Sequence, residues 1–67
     1  MLQLLQDTYT VALFEDGTSA EDIKAKLDAT GKYDYFTLKN IKTMLEGKAV
    51  IPDYTEESAM IVKVPVL

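Results

Sequence analysis

"TSAEDIKAKLDATG", residues 18–31, carries the clearest fold signal in the chain. Thr18 and Ser19 are both suitable N-cap residues, and an acidic residue follows three positions after either one, as a capping box requires. Gly31 supplies the left-handed conformation that commonly ends a helix. The positions that follow helical spacing form one stripe: Ala20, Ile23 and Leu27, with Thr30 as a further candidate. The stretch therefore predicts an amphipathic helix that is buried along one side.

A second helix is predicted in "KYDYFTLKNIKTMLEG", residues 32–47, beginning near Asp34 or Tyr35 and ending at Gly47. Phe36 lies outside the apolar stripe, so we expect it to pack into the turn or onto another element. The predicted buried stripe, with Tyr35 and Met44 at its margins, is Leu38, Ile41 and Leu45.

The remaining segments are extended or short. "DTYTVALF", residues 7–14, alternates in polarity and predicts a half-buried strand that places Tyr9, Val11 and Leu13 on one face, with Tyr9 in the core. Residues 1–6, "MLQLLQ", fit a helical turn or an extended arm, either flexible or ordered. Residues 48–64 predict a β-hairpin with the polar tip "PDYTEES". The second strand of this hairpin places four residues on one face: Met60, Val62, Val64 and Val66.

Composition excludes several classes of function. The 67 residues allow one domain, 1–67, and contain no cysteine and no histidine. This removes disulfides, Cys/His metal sites and the usual acid–base residue near neutral pH. We therefore expect a protein without enzymatic activity, cofactor or metal. No run approaches the ~20 apolar residues of a membrane span, and the N-terminus lacks a basic leader, so a cytoplasmic protein is expected.

The charge pattern divides the chain into three parts. The formal net charge is −4 and the isoelectric point is about 4.5. Residues 1–23 contain five acidic residues and no base, residues 24–48 six lysines against three acids, and residues 49–67 three acids and one lysine. Arginine is absent, which disfavours sequence-specific reading of DNA because arginine makes most bidentate contacts to guanine.

The predicted order of strand, helix, helix and hairpin resembles the winged-helix family. "TSAEDIKAKL" corresponds to the second helix of that family, "TLKNIKTMLEG" to its third, and "KAVI…AMIVKV" to the two strands of its wing. The resemblance implies a DNA-binding transcriptional regulator. The alternative layout is two helices packed on a small antiparallel sheet. Both layouts belong to the α+β class.

Two kinds of macromolecular contact remain open. A nucleic-acid face would combine the lysines of the second helix with nearby polar and aromatic residues: Tyr33, Tyr35, Lys39, Asn40, Lys42, Thr43 and Lys48. A protein partner would instead use exposed tyrosines and the acidic loop, which adds Tyr54, Glu56 and Glu57 to the candidates.

The negative charge and the absence of catalytic groups favour the protein partner. We predict a small acidic protein that regulates or inhibits a partner protein, of the kind encoded by phages and mobile elements, with DNA binding as the alternative. The valine-rich terminal strand, if it lies at a sheet edge, also predicts a homodimer.

Overall fold

The computed structural model describes residues 1–65, which form a three-stranded antiparallel sheet and two helices. The strand order in the sheet is β2-β1-β3. The predicted α+β class is confirmed, in the layout of two helices packed on a small antiparallel sheet. In chain order the elements are β1 (Leu2–Gln6), β2 (Tyr9–Phe14), α1 (Ala20–Ala29), α2 (Leu38–Leu45) and β3 (Ala59–Lys63).

Strand β1 is the centre of the sheet, so of the two predictions for residues 1–6 the helical turn is wrong, and the extended segment is an ordered central strand rather than an arm. Leu4 pairs with Ala12 of β2 on one side and with Ile61 of β3 on the other. Leu4 is completely buried under the helices. Pairing on both sides satisfies the backbone of this short segment, and its alternating side chains fill the core.

Strand β2 was predicted correctly, but its alternation is interrupted. The register with β1 shifts between Leu4 and Leu5, which leaves Val11 as an extra residue between the paired Thr10 and Ala12. A bulge of this kind turns the following side chains to the other face. Val11 therefore packs against the core, whereas Leu13, expected on the same face, is 54% exposed.

Helix α1 confirms the predicted cap and stripe, except that Thr30, the remaining candidate for the stripe, is the exposed C-cap. Ser19 is the N-cap, and its Oγ accepts a hydrogen bond from the backbone N–H of Asp22 at 3.2 Å. Its buried residues are Ala20, Ile23 and Leu27. Gly31 follows with φ 65°, the conformation expected after the helix.

Helix α2 begins later than predicted, because Thr37 provides the cap. The N–H of Asn40 donates to Thr37 Oγ1 at 3.0 Å, and the N–H of Thr37 donates to Asn40 Oδ1 at 3.1 Å, which makes a reciprocal capping box. Ile41 and Met44 are fully buried, whereas Leu45, predicted to be buried, is 39% exposed. Met44 and Leu45 both fit helical spacing from Ile41, and packing against α1 and β3 selects Met44. Phe36 is completely buried, as part of the core.

The predicted hairpin of residues 48–64 is reduced to one antiparallel bridge, between Val50 and Ala59. The main partner of β3 is instead β1, over five residues. Pro52 has no N–H to donate, so the short segment before it cannot extend a ladder beyond the bridge. Ala59 and Ile61 of β3 are buried, which turns Met60 and Val62 to the opposite face of the sheet. Val66, predicted on that face, lies outside the described residues.

Candidate functional site

The sheet has one face under the helices and one face turned away from them. Leu4, Phe14 and Ile61 belong to the buried cluster that the helices complete. The residues that alternate with them lie on the other side, because successive side chains of a strand point to opposite faces. We call this second surface the open face, and it consists of Gln3, Leu5, Thr10, Leu13, Met60 and Val62.

The open face is apolar and carries no charge. Its aliphatic residues come from all three strands, so they form one continuous surface across the sheet. Its two polar residues are joined by a hydrogen bond, from Gln3 Nε2 to Thr10 Oγ1 at 2.7 Å. Met60, on the edge strand β3, is 37% exposed. Ile51, 65% exposed, follows the bridge residue Val50 and extends the apolar surface at its margin.

The net charge of the protein lies in the same layer as the open face. The helical segment, residues 18–47, contains five acidic residues and five lysines and is neutral. The sheet segments, residues 1–17 and 48–65, contain the remaining six acidic residues and two lysines, which leaves −4. The acidic residues of the sheet segments are Asp7, Glu15, Asp16, Asp53, Glu56 and Glu57. The open face is thus an uncharged surface within an acidic layer.

The loop of residues 51–58, which we call the acidic loop, lies at one end of the sheet. The backbone N–H of Asp7, in the turn between β1 and β2, donates to Ser58 O at 3.0 Å. Tyr54 is 98% exposed and has φ 68°, an unfavourable conformation for an aromatic residue. Pro52, by contrast, is buried and anchors the start of the loop. The acidic loop therefore presents an exposed tyrosine among carboxylates.

A buried glutamine connects the acidic loop to the sheet. Gln6 is completely buried, and its Nε2 donates to the backbone oxygen of Glu57 at 3.4 Å. Its Oε1 accepts hydrogen bonds from the hydroxyls of Tyr9 and Tyr35. The Tyr9 hydroxyl also lies 3.2 Å from Glu57 Oε2. Tyr9, predicted to be in the core, is 40% exposed because it bridges this cluster to solvent at the sheet edge.

Both tyrosines of this cluster act as hydrogen-bond donors. Desolvation, followed by the hydrogen bond to the Glu57 carboxylate, raises the pKa of Tyr9 to about 12. Desolvation also raises the pKa of Tyr35, against the opposing effect of its hydrogen bond to Gln6. The two phenols therefore keep their protons near neutral pH, which suits structural donors rather than general bases.

The residues predicted for a nucleic-acid face are only partly available. Lys39, Lys42 and Lys48 are exposed, although Lys48 Nζ lies 3.7 Å from Glu46 Oε2. Asn40 is engaged in the capping box, and Thr43 Oγ1 donates to the backbone oxygen of Lys39 at 2.9 Å. The contact face is thus reduced to its lysines.

The predicted aromatic residues separate in the structure. Tyr33 and Tyr35 are half-buried and pack against the core. Their rings contact each other edge to face, with 6.2 Å between the ring centroids. Tyr54 alone is fully available for a partner, together with the exposed Glu56 and Glu57. The candidates of the acidic loop therefore remain on the surface, whereas the two tyrosines of the helical segment do not.

The open face is not identified by the sequence patterns. The alternation of Met60 and Val62 was visible, but alternation does not tell which face of a strand the helices cover. Leu5 and Leu13 cannot be placed on this face from the sequence. Residues 1–6 are too short to be identified as a strand, and the bulge at Val11 changes which side chains of β2 share a face.

Comparisons of the chain with protein-family models, with curated proteins and with solved structures find no match. The winged-helix resemblance therefore stays a prediction. Within residues 1–65, neither helix has the length and the apolar content needed to cross a membrane.

Proposed function

We propose that this chain is a small non-enzymatic protein that binds a protein partner and thereby regulates or inhibits it. The observation that carries the proposal is the uncharged apolar open face, formed by all three strands and turned away from the helices. Contiguous exposed apolar surface on a small protein commonly marks an interaction site. The absence of histidine and cysteine from the sequence supports binding rather than catalysis.

The size of the open face limits what it can do alone. Strands of five residues are about 17 Å long and three strands are about 14 Å wide, which gives a flat area of roughly 240 Å². A standard protein–protein interface covers about 800 Å² on each partner. The open face can therefore supply the apolar centre of an interface, and its surroundings must supply the rim.

The acidic loop is the natural rim. Tyr54 is fully exposed in a strained backbone conformation, and such strain is concentrated at functional positions. Tyrosine is also among the residues that contribute most to binding energy at interfaces. Glu56 and Glu57 of the same loop add charge that can select the partner and speed association.

The test is affinity purification with the tagged chain from cells of the source organism. Met60→Ser removes an apolar side chain of the open face, on strand β3. Leu45→Ser is the matched control, because Leu45 has nearly the same exposure but lies at the end of α2. We expect the wild type and the control to recover one specific protein, and Met60→Ser to bind it roughly tenfold more weakly, as the loss of one interface side chain predicts.

Recovery of no specific protein would overturn the proposal, as would equal binding by Met60→Ser. Duplex DNA provides the other arm of the test. Binding at about 50 mM salt that Lys39→Glu with Lys42→Glu abolishes would instead favour the DNA-binding regulator.

A further inference from the structure

The open face has the dimensions of a single α-helix. Its length of about 17 Å corresponds to a helix of about 11 residues, and its width of about 14 Å accommodates one helix with side chains, about 10–12 Å across. A helix bound there would lie opposite α1 and α2, so that the sheet would be covered on both faces.

A second copy of the chain fits the open face less well. Two copies placed face to face would bring together two layers that each carry the whole net charge of −4. Like charges across an interface suppress association.

The ends of the open face indicate the charge of its occupant. At the end where β1 turns into β2, the exposed residues Asp7 and Glu56 border the sheet, whereas the carboxylate of Glu57 lies on the helix side, 3.2 Å from the Tyr9 hydroxyl. At the other end, Glu15 and Asp16 follow β2, and the carboxylate of Asp16 is already paired with the N-terminal ammonium at 2.7 Å. An apolar centre bordered by carboxylates is complementary to a helix that is apolar on one side and basic on the flanks.

From this combination of apolar floor, acidic border and size, we infer that the open face binds a basic amphipathic helix of the partner protein. The inference rests on the proposed function, because it names the kind of partner segment that the open face takes. The apolar side of the helix packs on Leu5, Met60 and Val62, and its lysine or arginine side chains reach the carboxylates at the border.

Synthetic helical peptides test this inference without knowledge of the partner. Three 16-residue peptides share one leucine stripe at helical spacing and carry lysine, glutamine or glutamate on the flanks. Their binding to the full chain is measured by fluorescence anisotropy at about 50 mM and 300 mM salt. We expect the lysine peptide to bind most tightly and to lose affinity as salt rises, because its contacts to the border are screened.

Two sets of variants locate the binding site. Met60→Ser and Leu13→Ser should weaken the lysine and the glutamine peptides, and Leu45→Ser should not change either one. The double variant Asp7→Asn and Glu56→Gln should weaken the lysine peptide about fivefold, as the loss of two surface ion pairs predicts, and leave the glutamine peptide unchanged. All substitutions lie at exposed positions, and far-UV circular dichroism checks that each variant folds.

Equal affinity for the three peptides, or no binding of any of them, would overturn the inference. Partner capture that depends on Met60 would then still stand, so the failure of this inference is distinguishable from failure of the proposed function. Sedimentation velocity measures whether the chain associates with itself. A concentration-dependent dimer that Met60→Ser abolishes would assign the open face to a second copy and would also overturn the inference.

Discussion

Replacing the buried Gln6 by leucine tests whether its hydrogen bonds hold the acidic loop and the sheet together. Leucine has a similar size and is apolar, so it fills the space but can neither accept from the two tyrosine hydroxyls nor donate to Glu57. The effects on the two tyrosines differ. Tyr9 keeps the Glu57 carboxylate at 3.2 Å as a partner, whereas the only bond found for the Tyr35 hydroxyl within residues 1–65 is the one to Gln6.

The expected loss of stability follows from these partners. A buried polar group left without a hydrogen bond costs about 1–3 kcal/mol. The half-buried hydroxyl of Tyr35 falls at the lower end of this range, and the lost bond to Glu57 O adds about 0.5–1 kcal/mol. We therefore expect Gln6→Leu to lower the free energy of unfolding by about 2 kcal/mol, or the melting temperature by roughly 8–16 °C in a domain of this size.

A double-mutant cycle with Tyr35→Phe separates the hydrogen bond from the change in packing. Phenylalanine removes the hydroxyl that Gln6→Leu leaves unpaired, so the double variant should recover about 1 kcal/mol relative to the sum of the single effects. Urea unfolding followed by circular dichroism measures all four proteins. Additive effects, or a Gln6→Leu variant as stable as the wild type, would refute the assignment of Gln6 as the link between the loop and the sheet.

Three further predictions address the core, a helix cap and the pH dependence. Phe36→Ala should lower the free energy of unfolding by about 3–5 kcal/mol because Phe36 is completely buried. This loss is comparable with the whole stability of so small a domain, so urea unfolding should show a variant that is already partly or wholly unfolded without denaturant. Thr37→Ala removes the capping box of α2 and should cost about 1 kcal/mol, whereas Thr55→Ala in the exposed loop should cost less; thermal unfolding compares the two. The pKa of Tyr9 is raised from 10.0 to about 12, so between pH 10 and pH 12 the folded state retains a proton that the unfolded state loses. Stability should therefore fall as pH rises from 10 to 12, and unfolding measured across this range should show a smaller fall for Tyr9→Phe.

The features that could be predicted from sequence are local. Helix α1 depends on a cap and a stripe that lie within 14 residues, and its N-cap, its buried residues and its final glycine were all found. The α+β class follows from the helices and strands that such local patterns predict. Phe36 could be excluded from the helical stripe from spacing alone, although not assigned to the core.

The features that could not be predicted depend on distant partners. Six residues at the start of the chain carry too little pattern to identify β1, whose status as a strand comes from β2 and β3 on its two sides. The choice of Met44 over Leu45 depends on the elements that pack against α2. The open face requires both the strand order and the side that the helices cover, and neither is encoded in a single segment.

The pairing of β1 with β3 also determines how the chain closes on itself. Leu4 opposes Ile61, 57 positions away, so one contact encloses nearly the entire described chain. Closing a flexible loop of this length costs roughly 3.5 kcal/mol of entropy, more than closing the β1–β2 turn. Helices α1 and α2 lie inside that loop, and once folded they shorten the free chain that must be closed. The pairing of β1 with β3, which brings Met60 and Val62 to the open face, is therefore the part of the sheet with the greatest entropic cost. It is also the part that depends most on the other elements being folded.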